Sequence, residues 1–135
     1  VLMGDGEQGE GSIYEAAMAA SHYKLDNLVA IIDRNGLQIS DKTENVMSLE
    51  SIYDRWTAFG WDVIEINGDD MEIIVKTLDN LDFNNKKPHL IISRTTKGKG
   101  ISCMENLLKW HHGVPKEEEY QQSILELEAC INQFS

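Results

Sequence analysis

Residues 4–11 have the sequence GDGEQGEG, a glycine-rich stretch that is the strongest indication of the fold. It follows the apolar stub Val1-Leu2-Met3 and precedes a segment, Ser12 to Tyr23, in which apolar and small residues recur at helical spacing. We therefore predict a strand, a turn and a helix in that order. Because the stub is only the end of a strand, we expect the sequence to be part of a longer subunit.

Outward from this stretch, strands and helices alternate along the chain. Short apolar runs predict three further strands, at residues 28–32, 63–66 and 90–93. Alternation of this kind is typical of an α/β fold, in which a parallel sheet carries helices on both faces. Ligands of such sheets bind outside the carboxyl ends of the strands. Three polar or glycine-rich loops are predicted there, at residues 4–11, 33–47 and 94–115.

The predicted helices carry capping residues and apolar faces. Ser48 is expected to cap one helix, and Asp69 with Glu72 to form the capping box of the next. Each helix places apolar residues on one side. These residues are Leu49, Ile52, Trp56 and Phe59 in the first, Met71, Ile74, Val75, Leu78 and Leu81 in the second, and Ile124, Leu127, Ile131 and Phe134 in the last.

Composition limits the class of protein. The chain has 135 residues, 41% of them hydrophobic, which predicts a single domain over residues 1–135. A net charge of −11 disfavours nucleic acid and anionic membranes as partners. The sequence contains neither a transmembrane run nor a visible secretory signal. Cys103 and Cys130 match no zinc or CxxC pattern, so we expect reduced thiols and a cytoplasmic protein.

The first loop has two interpretations. Gly4, Gly6 and Gly9 match the dinucleotide fingerprint, and Asp33 stands where a ribose-binding acid would be expected. That alternative predicts an oxidoreductase domain. Asp5 argues against it, because a carboxylate between the glycines would face the pyrophosphate with nothing to neutralise it.

A divalent cation at the same place removes that conflict. Asp5 then becomes a metal ligand, and Gly6 lets the backbone approach a diphosphate. Magnesium prefers hard oxygen ligands, commonly one or two carboxylates together with phosphates and water. The loop after the second strand offers the side-chain carbonyl of Asn35 and the backbone carbonyl of Leu37.

Gly4-Asp5-Gly6, followed about thirty residues later by Asn35, resembles the thiamine-diphosphate motif of transketolases and related enzymes. Further stretches are similar to transketolase motifs in the same order, up to about residue 115. They are GDGEQGEG at 4–11 (GDGExxEG), AIIDRNGLQI at 30–39, WTAFGWDVIE at 56–65 ((K/R)(W/Y)xAFGWxVxE), TTKGKG at 95–100 (TxKGxG) and WHHGVP at 110–115 (WHGxP).

The resemblance implies roles for individual residues. Asp5, Asn35 and the Leu37 carbonyl would bind Mg²⁺. The thiamine diphosphate would be held by Gly4, Gly6, Asn35, Lys97 and His112, and His112 would also be the catalytic histidine. The family has one histidine before this glycine, whereas this chain has two, and adjacency to Gly113 favours His112. Glu10 would match an acid of the subunit interface.

The resemblance is closest to the N-terminal, diphosphate-binding subunit of the split transketolases. It implies transfer of a two-carbon ketol unit between sugar phosphates, as in the pentose phosphate pathway. It also implies a partner, the C-terminal pyrimidine-binding subunit, in a dimer or heterotetramer. The family's upstream histidines and its activating glutamate are absent from this sequence, so we expect the chain alone to be inactive.

Simpler explanations exist for each candidate residue. Asp5 could cap the next helix, Asn35-Gly36 is a common turn pair, and Lys97 and His112 could be solvated loop residues. The alternative functions are a 2-oxoacid dehydrogenase E1α, a deoxyxylulose-phosphate synthase, the dinucleotide-binding oxidoreductase domain and a non-catalytic binding remnant.

Overall fold

The computed structural model describes residues 1–132 and contains a sheet of four parallel strands in the order β1-β2-β4-β3. The strands are β1 (Leu2–Gly4), β2 (Val29–Arg34), β3 (Asp62–Asn67) and β4 (His89–Arg94). The helices are α1 (Gly11–His22), α2 (Thr43–Val46), α3 (Ile52–Ala58), α4 (Met71–Asp79) and α5 (Glu117–Ile131). Short 3-10 segments span Gly6–Gly9 and Leu108–His111. The predicted α/β fold is confirmed.

The strand register brings the candidate loops together. Gly4 at the end of β1 is paired with Asp33 near the end of β2. Arg94 at the end of β4 is paired with Arg34 on one side and with Asn67 on the other. All four strands are parallel, so the loops that follow them leave the sheet at the same edge.

One face of the sheet carries most of the core. Ala17 and Ala20 of α1 are buried there, as predicted from their spacing, and Trp56 of α3 lies beside them. The Trp56 and Trp61 rings meet edge to face, with centroids 4.7 Å apart. Both indole N–H groups have partners, Gln8 Oε1 and the Ala17 carbonyl, so neither buried donor is left unsatisfied.

The opposite face is covered by α4. Ile74 and Leu78 of this helix line a small apolar pocket with residues of the three neighbouring strands, Ile31, Ile66 and Ile91. Helices therefore lie on both faces, as expected. The apolar side of α4 is only partly used, because Met71 remains 69% exposed and Val75 49% exposed. Within residues 1–132, no helix is long and apolar enough to cross a membrane.

Three details of the helices differ from prediction. Ser51, not Ser48, caps α3, since Ser51 Oγ accepts the Asp54 N–H while Ser48 Oγ bonds to Glu44. Asp70, not Asp69, caps α4. The apolar side predicted for α5 is largely solvent-facing, with Ile131 64% exposed, and Phe134 lies outside the described residues.

Candidate cofactor and metal site

A cleft of about 800 Å³ opens where the loops after β1, β2 and β4 meet. Six residues selected from the sequence line it together: Gly4, Asp5, Gly6, Asn35, Leu37 and Lys97. The same wall also carries the carboxylates of Glu7, Glu10 and Asp33. The sequence thus selected six residues that share one cleft, although they come from three separate loops.

Asp5 is the most enclosed charged group of the cleft, with 2% of its surface exposed. Its Oδ1 accepts a hydrogen bond from Arg34 Nη1 at 3.1 Å. Its Oδ2 accepts bonds from the backbone N–H of Gly36 and from Thr43 Oγ1. The side chain makes no capping bond to the following 3-10 segment, so the simple helix-cap explanation for Asp5 is wrong.

Arg34 is a site residue that sequence reasoning missed. Besides Asp5, its guanidinium contacts Glu44 at 2.6 Å and Glu50 at 3.0 Å. Burial disfavours its charge, but the hydrogen bonds to Glu50, Asp5 and Glu44 outweigh that effect and raise the pKa of Arg34. Asp5 therefore does have a cationic neighbour, contrary to the expectation from sequence that nothing neutralises it.

A signal for Arg34 was present in the sequence. β2 alternates, and Ala30, Ile32 and Arg34 all point to the buried face. A buried arginine needs acidic partners, because an unpaired charge in the interior is strongly unfavourable. The alternation alone could therefore have predicted a buried ion pair at the end of this strand.

The Asn35 loop forms a tight turn at the cleft. The Asn35 Oδ1 accepts the Leu37 N–H at 3.0 Å, and its amide nitrogen donates to Asp33 at 3.2 Å. Gly36 has a φ of +78°, a conformation that favours glycine. Asn35 is thus a turn residue in this structure, and its role as a metal ligand stays a prediction.

The oxygen donors in the cleft suit Mg²⁺ rather than a softer metal. A carboxylate, an amide carbonyl and a backbone carbonyl are hard oxygen ligands, and phosphate and water complete such a site. Four carboxylates line the cleft against one lysine, so a bound diphosphate would need a cation for charge balance. No group of three His, Cys, Asp or Glu side chains within residues 1–132 could hold a metal. Asn35 and Leu37 therefore stay the predicted ligands beside Asp5.

The loop after β4 is tied to the other loops at two points. Thr95 Oγ1 donates to Asp33, and the Thr96 N–H donates to Asp69 at 3.2 Å. These bonds hold the neighbouring Lys97 at the cleft wall. A lysine at this place can approach an anion in the cleft, and its contact with a cofactor stays a prediction.

The two adjacent histidines differ in position. His111 lines the cleft, whereas His112 is not among the lining residues, although it was favoured from the sequence. The His112 ring packs edge to face against His111, with centroids 4.6 Å apart. Partial desolvation lowers the pKa of His111, and the charges of Lys97 and His112 add to that effect. The geometry favours His111 as the histidine that faces a ligand.

Comparison with known proteins identifies the family. Residues 1–127 match the family "Transketolase, thiamine diphosphate binding domain". The chain is 68% identical over 134 residues to one subunit of the apulose-4-phosphate transketolase of Phocaeicola vulgatus, covering 99% of this chain and 48% of that protein. The subunit of the same name from Actinobacillus succinogenes is 46% identical over 127 residues, covering 94% of this chain and 46% of the relative.

A solved transketolase structure also matches the chain. The transketolase of Campylobacter jejuni superposes with a TM-score of 0.81 at 38% identity, over 90% of this chain and 19% of that one. The chain spans about half the length of the relatives from P. vulgatus and A. succinogenes. The family match decides against the dinucleotide-binding alternative. The chain belongs to the transketolase family, as part of its N-terminal, thiamine-diphosphate-binding domain.

Proposed function

We propose that this chain is the cofactor- and metal-binding part of a split transketolase subunit that uses thiamine diphosphate and Mg²⁺. The observation that supports it best is the single cleft shared by Gly4, Asp5, Gly6, Asn35, Leu37 and Lys97. The relatives above are named transketolases, which favours this activity over the two other thiamine enzymes considered. The proposed reaction transfers a two-carbon ketol unit between sugar phosphates.

Each residue of the cleft has a defined task in this proposal. Asp5, Asn35 and the Leu37 carbonyl hold Mg²⁺, which offsets the diphosphate charge. Gly4 and Gly6 let the backbone approach the phosphates, and Lys97 supplies a further positive charge. The histidine pair hydrogen-bonds the cofactor or the transferred group, with His111 placed at the wall and His112 behind it.

The protein's part is therefore binding and orientation. A rigid anchor for the diphosphate holds the reactive ring at a constant position relative to the substrate. Thiamine diphosphate, when bound, supplies the chemistry that stabilises the two-carbon unit during transfer. The chain itself contributes the metal ligands and the cleft walls.

The substrate proposal rests on the relatives. Two proteins with 68% and 46% identity are named as subunits of apulose-4-phosphate transketolases, so we propose apulose 4-phosphate as donor. This differs from the pentose phosphate pathway expected from the resemblance. Because both relatives are named as single subunits, we also propose a partner that carries the pyrimidine-binding domain, in a dimer or heterotetramer. A cytoplasmic location remains a prediction.

The direct test is an assay of the full-length subunit mixed with its partner subunit. We expect ketol transfer from apulose 4-phosphate to an aldose phosphate, dependent on thiamine diphosphate and Mg²⁺. Asp5→Ala should abolish activity and cofactor binding, while Asp79→Ala, an exposed acid on α4 outside the cleft, should change neither. Decarboxylation of pyruvate, or activity that survives Asp5→Ala, would contradict the proposal.

A further inference from the structure

Arg34 links the candidate metal ligand to two acids outside the cleft. It ends β2, is 5% exposed, and directs its guanidinium at Asp5, Glu44 and Glu50. Glu44 and Glu50 are themselves partly solvated, with side chains 39% and 45% exposed. Neither acid is among the residues that line the cleft. Arg34 therefore stands behind Asp5, between the cleft and a solvated acidic pair.

The contacts of Asp5 leave room for a cation on one oxygen. An ionised carboxylate offers about four lone-pair positions. Oδ2 accepts two bonds, from Gly36 and Thr43, whereas within residues 1–132 Oδ1 accepts one, from Arg34. The oxygen that Arg34 orients is thus the one with an acceptor position still available.

We propose that Arg34 is a positioning residue of the metal site, which fixes the Asp5 carboxylate, and that Glu44 and Glu50 offset its charge so that Asp5 retains its affinity for a divalent cation. This inference rests on the proposed function. A guanidinium suits the task because its planar fork can reach three carboxylates at once, whereas an ammonium is a single point charge.

Charge balance explains why the two glutamates matter. A lone arginine 3.1 Å from Asp5 would repel an incoming metal ion and compete with it for the carboxylate. Arg94 also contacts Glu50, at 3.5 Å, so the cluster holds two positive charges, on Arg34 and Arg94, and three negative charges, on Asp5, Glu44 and Glu50, and it remains net negative. Removing either glutamate should therefore weaken cation binding without touching a ligand.

The test measures metal affinity directly. The full-length subunit with its partner and thiamine diphosphate is titrated with Mn²⁺, followed by electron paramagnetic resonance, and Mg²⁺ is added as competitor. Partners of metal ligands typically change metal affinity by about 10- to 100-fold when removed, and we expect this range for Arg34→Met. Arg34→Lys should fall between Arg34→Met and wild type.

Glu44→Gln and Glu50→Gln keep the test valid if Arg34→Met does not fold, because both side chains are partly exposed. We expect the double variant to bind Mn²⁺ about 10-fold more weakly. Its kcat should return to the wild-type level at saturating Mg²⁺. A loss of metal affinity without a loss of kcat is a result that a purely structural role would not produce. Glu72→Gln is the control, since Glu72 is an exposed acid on α4 that does not line the cleft.

The outcomes separate the two proposals. If wild type binds the cation and either Arg34→Met or the double variant binds it as tightly as wild type and Glu72→Gln do, the inference is disproved while the proposed function stands. If wild type binds no cation with thiamine diphosphate, both proposals fail. Weaker binding in the double variant, with the control unchanged, supports the inference.

Discussion

At the scale of single residues, the adjacent histidines show how position and charge divide two identical side chains. Both are exposed, but only His111 is at the cleft wall. Partial desolvation disfavours a proton on His111, and the charges of Lys97 and His112 add to that effect. In the cofactor-free protein the imidazole of His111 therefore stays neutral down to a lower pH than that of an ordinary histidine. A neutral imidazole can donate or accept a hydrogen bond in the cleft.

We predict that the imidazole of His111 titrates below the usual range of histidine in the cofactor-free protein. Lys97→Met should raise this pKa, because a cation that disfavours the imidazolium is removed; the shift should be partial, since desolvation remains the larger cause. Two-dimensional NMR of the imidazole nitrogens would measure both values. Lys99→Met, in the same loop but outside the cleft lining, is the control. An unchanged pKa in Lys97→Met would contradict the assignment.

At the scale of elements, the start of α4 shows why caps are hard to place from sequence. Asp69 and Asp70 are both plausible caps, and the sequence favoured Asp69. In the structure Asp70 Oδ1 accepts the N–H groups of Glu72 and Ile73, while Asp69 Oδ1 accepts the Thr96 N–H of the loop after β4. A distant loop thus determines which acid is free to cap, and no local pattern contains that information.

We predict that Asp70→Ala lowers the free energy of unfolding by about 1 kcal/mol, the usual effect of losing a cap. Asp69→Ala should cost about 0.5 kcal/mol or less, because it removes one exposed bond to a loop. Urea unfolding followed by tryptophan fluorescence would measure both, since Trp56 and Trp61 are buried in the core. Equal effects of the two substitutions would show that the cap assignment is wrong.

In the rest of the fold, too, local sequence patterns were predictable and contacts between distant residues were not. Strands were predictable because the sheet is covered on both faces and each strand is a short apolar run. The cleft was predictable because parallel strands bring their carboxyl ends to one edge. The helix α2 and the Arg34 ion pairs were missed, since a four-residue helix has no periodicity to detect and ion pairs join residues distant in sequence.

At the scale of the whole molecule, the cleft is held by bonds that run between loops. Gly36 and Thr43 donate to Asp5, Thr95 donates to Asp33, and the Thr96 N–H donates to Asp69. These loops supply few residues of the core cluster, which lies under α1 and α3. A ligand that binds all three loops should therefore stabilise the part of the molecule that the core supports least.

We predict that this stabilisation can be measured as linkage between binding and unfolding. A ligand that binds only the folded state adds about 2.7 kcal/mol when present at 100 times its dissociation constant. Thiamine diphosphate with Mg²⁺ should raise the apparent free energy of unfolding of the full-length subunit by that amount, and either component alone should raise it less. Because Asp5 is a proposed ligand of the cation and accepts bonds from Gly36 and Thr43, Asp5→Ala should remove the increase. NAD with Mg²⁺ is the matched control, since it also carries a pyrophosphate. Equal stabilisation by NAD would mean that the cleft recognises any pyrophosphate, against its assignment to thiamine diphosphate.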